Sequence, residues 1–261
     1  MPIRRIATRI VLAVTLLPAT GPALAQTGLA AHFYFYRPTA GQQQAFEQGY
    51  RRHLEWHRQH RDPLVWYGWT IEDGPRAGQF VDASVGEPFA AFDRRVDVAG
   101  DAADAARNVL PYVTPLARPT YVLRPDLGAG TPLEHRRPTA TMQVAVFHLR
   151  PGTEARFERA VQAARRVLAK RPGAPAHTWY RLVVGGEAPQ YLLLVAREGW
   201  AGYDRYDGDL AGLLAKDDTA LADYAAAVRS VDIETWRYRP ELSLIPPGEQ
   251  RDRAPPRRAA G

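Results

Sequence analysis

His53 and His57 stand four residues apart and His60 follows three later, so in a helix all three imidazoles share one side. Two imidazoles at that spacing can chelate a metal ion, or one of them can be an axial ligand to a haem. Leu54, Glu55 and Trp56 lie between the first two, so this is not the HExxH pattern of zinc proteases. No third ligand stands at a metal-site spacing, and no metal site is assigned. Three readings stay open for the pair: structural histidines, part of a ligand pocket, or ligands to a metal or haem.

Asp82 is the second candidate. Phe80, Asp82 and Ser84 alternate along one run and share a strand face. A buried Asp82 has its pKa raised and can serve as a general base. On an edge or wet face it is an ordinary solvated carboxylate. Around these groups the first third of the chain is rich in aromatics, including Tyr34, Tyr50 and Trp66. The candidate ligand-binding set is therefore Tyr34, Tyr50, His53, His57, Trp66, Asp82 and Ser84, with no catalytic residue assigned. The chain has no cysteine, which excludes thiol nucleophiles, thiolate metal sites and disulfides. It has no phosphate loop and no dinucleotide fingerprint, and Ser84 has no histidine at a hydrolase spacing.

These residues must be positioned by elements that recur. Arg37-Pro38 returns as Arg150-Pro151, Trp66-Tyr67 as Trp179-Tyr180, Asp93-Arg94 as Asp204-Arg205, and Arg124-Pro125 as Arg239-Pro240. The offsets stay between 111 and 115 residues, about the size of one small domain. The reading is a tandem duplication: unit one over 26–127, a Pro/Gly-rich linker over 128–138, and unit two over 139–245. In unit one the pattern predicts strands at 31–36, 64–71, 79–85 and 119–124. Helices are expected at 42–61, capped by Thr39, and at 101–109, with a short helical piece at 89–94. Unit two repeats the order with strands at 142–149, 177–184, 190–197 and 233–238, and helices at 154–170 and 216–228. Superposing the units sets Phe46, Gly49, Tyr50, His53 and His57 against Phe157, Ala160, Val161, Ala164 and Leu168. The second set is an apolar helical stripe, so both histidines occupy core-facing positions. Likewise Asp82 and Ser84 stand where Leu193 and Val195 do. If that face points into the body, unit one carries a polar, aromatic-lined cavity.

The order β-α-β-β-α-β is ferredoxin-like, with both helices on one face of an antiparallel sheet. Yet Val144 to Phe147 and Tyr191 to Val195 are apolar on both faces. Full burial of one leucine is worth about 1.5–3 kcal/mol, so the second face must be covered, most economically by the other unit, sheet to sheet. The fold class expected is α+β, two tandem ferredoxin-like units closed into an α/β-barrel-like body. On element order, duplication and two-faced strands, residues 30 to 242 resemble the dimeric α/β-barrel superfamily. That resemblance implies relatives such as haem-binding chlorite dismutases, haem-degrading monooxygenases and cofactor-free monooxygenases, and leaves haem as the cofactor to test.

Residues 1–25 have Arg4, Arg5 and Arg9, an apolar stretch and Ala23-Leu24-Ala25, the pattern of a signal peptide cut after Ala25. The expected location is periplasmic or secreted, with no membrane span. Residues 246–261 read as a disordered basic tail. Of 34 basic and 28 acidic residues, the leader holds three Arg, and the segment from Arg251 holds four Arg and one Asp. That leaves 27 of each sign over 26–250, a neutral body that argues against nucleic acid as a partner. The first function expected is binding of a small apolar or aromatic ligand in unit one, in a monomer or homo-oligomer. The alternative, drawn from the resemblance, is a monooxygenase-like or haem-binding enzyme using His53 or His57 with Tyr50 and Asp82. A structural or partner-binding module is the third.

Overall fold

The structure, a computed structural model, describes residues 28–246. The expected signal peptide and nearly all of the expected tail lie outside the described residues. The chain runs β1 (Leu29–Pro38), α1 (Gln43–Gln59), β2 (Tyr67–Asp73), β3 (Phe80–Pro88), α2 (Phe89–Phe92), α3 (Val98–Asn108), β4 (Val113–Pro115) and β5 (Thr120–Leu123). It continues with β6 (Thr141–Leu149), α4 (Glu154–Leu168), β7 (His177–Val184), β8 (Gln190–Arg197), α5 (Leu210–Leu213), α6 (Asp218–Ala227) and β9 (Val228–Tyr238). Among the described residues no helix is long and apolar enough to cross a membrane.

Eight strands form one closed antiparallel barrel in the order β3-β2-β9-β6-β8-β7-β5-β1, with β1 pairing back onto β3. The two halves are not merely stacked face to face. Edge strands β2 and β5 of the first half hydrogen-bond to β9 and β7 of the second, so both sheet edges are consumed. Closure explains the two-faced strands. Along β6, Met142, Val144 and Val146 point into the barrel, while Ala145, Phe147 and Leu149 lie beneath α4. The interior is filled by Phe33, Phe35, Tyr67, Trp69 and Trp236 among others. A void beside Trp69, Leu133, Met142 and Leu194 has room for about one water.

The structure departs from the sequence expectations where side chains intervene. Asp62 accepts the Leu64 N–H (2.9 Å), which commits that stretch to a turn. Strand β2 therefore starts at Tyr67 rather than Leu64, and Trp66 makes an isolated bridge to Leu244. Gln42, not Thr39, precedes α1, and no side chain caps it; the Thr39 carbonyl takes the Gln42 N–H instead. Strand β9 starts five residues earlier than expected because its pairing with β6 continues to Val228. Neither Asp93-Arg94 nor Asp204-Arg205, the pair both halves carry, forms an ion pair among the described residues. After β9 the chain crosses back, and Leu242 and Leu244 complete the core under α1.

Candidate functional site

The polar candidates lie outside the barrel, in the layer between α1, α3 and the outer face of β1–β3. On β3, Val81, Ala83 and Val85 face the barrel. Phe80 belongs instead to the core under α1, and Asp82 reaches Tyr50 there. Asp82 therefore lies not in a cavity inside the body, as expected, but in a packed helix–sheet layer. Helix α1 buries Phe46, Gly49, Tyr50, Leu54 and His57. Gly49 is required by close approach: a Cβ there would stand 1.8 Å from the Asn108 carbonyl oxygen. Helix α3 is held at both ends. Asp97 caps it by accepting the Gly100 N–H, and Asn108 takes a hydrogen bond from Arg52 of α1. The only buried residues of α3 are Asp101 and Asp104. A helix that buries carboxylates must meet cations or donors, since an unpaired buried charge is costly.

Those partners are the two histidines. His53 Nδ1 lies 2.8 Å from Asp104 Oδ1, and His57 Nδ1 lies 2.7 Å from Asp62 Oδ2. Their Nε2 atoms face each other at 3.3 Å. Asp101 Oδ1 stands 3.4 Å from one Nε2 and 3.5 Å from the other. Arg95 pairs with the second oxygen of Asp101, and Asn108 donates to Asp104. Burial pushes the His53 pKa down, partly opposed by its bond to Asp104. Burial tends to raise the pKa of Asp62, but donors from His57, the Leu64 N–H and Trp66 outweigh it and keep that carboxyl below its usual value. Among the described residues, His53, His57 and Asp101 bring ligand atoms close enough together to hold a metal ion.

Asp82 is 2% exposed. Tyr50 donates to its Oδ2 at 2.8 Å, and its Oδ1 has no partner. Burial pushes its pKa up to about 7, against the bond from Tyr50 and with the repulsion of Asp101. Tyr50 links the two parts, packing on Phe80 (4.8 Å between ring centroids) and on His53 (6.3 Å). Toward solvent stand His32, half-buried, with Tyr34 at 4.7 Å and Phe92 at 5.5 Å. Burial lowers the His32 pKa, and the charges of Arg95 and Arg118 add to this.

Of the sequence candidates, the layer gathers Tyr34, Tyr50, His53, His57, Trp66 and Asp82. Trp66 packs on His57 at 4.6 Å and donates to Asp62. Ser84 shares the buried face, but its hydroxyl is spent on the Val65 carbonyl (2.7 Å). His60 leaves the group because α1 ends at Gln59; it is exposed and stacks on Trp56 at 4.0 Å. Sequence reasoning missed Asp62, Asp101, Asp104, His32 and Arg95. The Asp101 and Asp104 pair, three apart in an alanine-rich helix, was the one available signal.

No family model matches the sequence, and no curated protein does. Solved structures do match in fold. A proposed monooxygenase from Lactobacillus acidophilus aligns at TM-score 0.53 and 10% identity, over 81% of this chain and 94% of its own. A variant of the chlorite dismutase from Candidatus Nitrospira defluvii aligns at 0.54 and 9%, over 84% and 94%. An anthrone oxidase-like protein aligns at 0.50 and 13%, over 82% and 92%. The chain therefore has the dimeric α/β-barrel fold, and at these identities fold is what the likeness shows. Haem, which the superfamily resemblance implies, does not fit His53 and His57 as placed. Each Nε2 already faces the other and Asp101 within 3.5 Å, leaving neither imidazole turned toward a flat macrocycle.

Proposed function

We propose that this protein is a monooxygenase-like enzyme that takes a small, ionisable aromatic molecule at the solvent edge of the layer between α1 and the sheet, beside His32, Tyr34 and Phe92. The observation that carries this reading is Asp82, a buried carboxylate with one oxygen held by Tyr50, the other without a partner, and a pKa of about 7. A base poised near neutrality is suited to removing a proton from an activated C–H or O–H. Tyr50 orients the carboxylate. Tyr34, Phe92 and Trp66 supply aromatic walls, and Arg95 and Arg118 favour an anionic group at the rim beside His32. In the step proposed, Asp82 takes the proton and leaves an electron-rich anion. Dioxygen oxidises that anion; one oxygen atom enters the product as a carbonyl and the other leaves as water with the two substrate hydrogens. The named activities of the fold neighbours support an oxygenase over a plain binder.

The test is dioxygen uptake over a panel of anthrones and hydroxyaromatics. Asp82→Asn should lower the rate about 100-fold or more while the protein stays folded. Binding without uptake, followed by tryptophan fluorescence, would return the simpler ligand-binding reading. We also infer a tandem origin for the two halves, supported by their shared element order and repeat offsets. Export as a periplasmic or secreted protein is supported by the pattern of residues 1–25, and mass determination of the mature chain tests it.

A further inference from the structure

We infer that His53, His57 and Asp101 form a binding site for one divalent first-row transition ion, zinc by its geometry. The inference goes beyond the oxygenase reading and stands without it. It starts from proton bookkeeping. The Nδ1 atom of each imidazole lies within 2.8 Å of a carboxylate oxygen, Asp104 for His53 and Asp62 for His57. A neutral imidazole so placed carries its hydrogen on Nδ1 and a lone pair on Nε2. Both lone pairs then point at each other across 3.3 Å and at Asp101 Oδ1 across 3.4 and 3.5 Å. Three acceptors converging in a buried place repel one another unless something positive sits among them.

A metal ion meets that demand with the distances at hand. Zinc–nitrogen and zinc–oxygen bonds of about 2.0–2.2 Å give tetrahedral edges of about 3.3–3.6 Å. The observed triangle has edges of 3.3, 3.4 and 3.5 Å. Each histidine ligand also has the carboxylate on its far nitrogen that orients metal-bound imidazoles and raises their basicity. Asp62 is itself fixed, by the Leu64 N–H and Trp66 Nε1, and Asp104 by Asn108. Three protein ligands leave the fourth position for water or for an oxygen of a bound molecule. The competing solution is a single shared proton, with His53 as an imidazolium.

Untagged full-length protein, stripped with chelator, should bind one Zn2+ per chain. Co2+ in its place should give the intense visible bands of a tetrahedral site. His53→Gln and Asp101→Asn should each weaken binding by about 100-fold or more, and Asp104→Asn and Asp62→Asn by about 10–100-fold. Asp223→Asn, which alters the corresponding helix layer of the second half where Asp223 pairs with Arg159, should leave binding unchanged. Circular dichroism confirms that each variant is folded. Should the ligand variants unfold, ring-nitrogen NMR of the parent decides: among seven histidines, Zn2+ should shift Nε2 of His53 and His57. The shared proton prevails, and the metal site is overturned, if the parent binds no ion in the micromolar range. Binding retained in both folded ligand variants, or NMR shifts confined to other histidines, would overturn it equally. Asp82→Asn separates the two proposals, since it should slow dioxygen uptake about 100-fold or more and leave the metal stoichiometry at one.

Discussion

The two helix layers of this barrel share a backbone plan and differ in what they bury. Under α4 lie Phe157, Ala160, Val161, Ala164 and Leu168, packed on Tyr191, Leu193 and Val195 of β8. At the superposed places under α1 stand Phe46, Gly49, Tyr50, His53 and His57, over Phe80, Asp82 and Ser84 of β3. The apolar layer is held by non-directional burial and needs no partners. The polar layer holds only because each ionisable group has a specific neighbour, from Asp62 at the end of α1 to Asp104 on α3. A scaffold gains nothing in stability from such an exchange, as buried ion pairs are often matched or surpassed by well-packed apolar groups. The difference therefore separates a half that carries packing from a half that buries ionisable groups.

The sharpest way to break the comparison is to make the polar layer resemble the apolar one. His57→Leu alone should cost about 1–3 kcal/mol, because Asp62 and Asp101 each lose one partner while keeping Leu64 and Trp66, or Arg95 and His53. Replacing His53, His57, Asp101 and Asp104 together by apolar residues should cost less than the sum of the four single changes, since these groups partner one another; urea unfolding of all five variants checks this. Gly49→Ala should cost about 1–3 kcal/mol, since the new methyl meets the Asn108 carbonyl, and the penalty should appear as a lowered melting temperature. The reverse change at the superposed residue, Ala160→Gly, should cost about 1 kcal/mol from helix propensity alone.

Asp82 sharpens the contrast through pH. Its folded pKa, about 7, lies above the ordinary value of 3.8, so the folded state holds the proton longer than the unfolded chain. Its contribution is favourable below the unfolded value and is lost as pH rises toward 7. Asp82→Asn removes that loss. The stability advantage of the variant over the parent should grow by about 2–3 kcal/mol between pH 5 and pH 8, measured by urea unfolding at each pH. At the small end, Arg159→Ala should change stability by under about 1 kcal/mol, because its pair with Asp223 lies at the surface of the apolar layer.

How much of this was legible follows from the range of each interaction. The two-faced strands are a local pattern and read correctly from Val144 to Phe147 and Tyr191 to Val195, whereas the short strand β4 was not foreseen. Superposing the halves marked His53, His57 and Asp82 as departures from an apolar stripe, and the structure buries His57 and Asp82 and half-buries His53. The face of β3 was legible only in part: alternation shows which residues travel with Asp82, not whether barrel or helix receives them. Asp101 and Asp104 escaped because aspartates in an alanine-rich helix look like a solvated face. Their burial depends on residues about 50 positions away on α1, which no local period encodes. His60 was grouped with the pair by spacing alone, and α1 ends two residues earlier than expected, leaving His60 just past its end.

Closure of the barrel sets an order in time as well as in space. Strand β2 waits for β9, so Trp69 finds its partner Tyr238 only once the chain has been made through residue 238. Until then the first half presents open edges at β2 and β5, together with an inner face of Phe33, Phe35 and Trp69. Contacts of such long sequence separation form late, and open edges invite pairing with other chains. Assembly should therefore be slow and strongly cooperative, with the half that carries the polar layer the more exposed to aggregation until the last strand arrives.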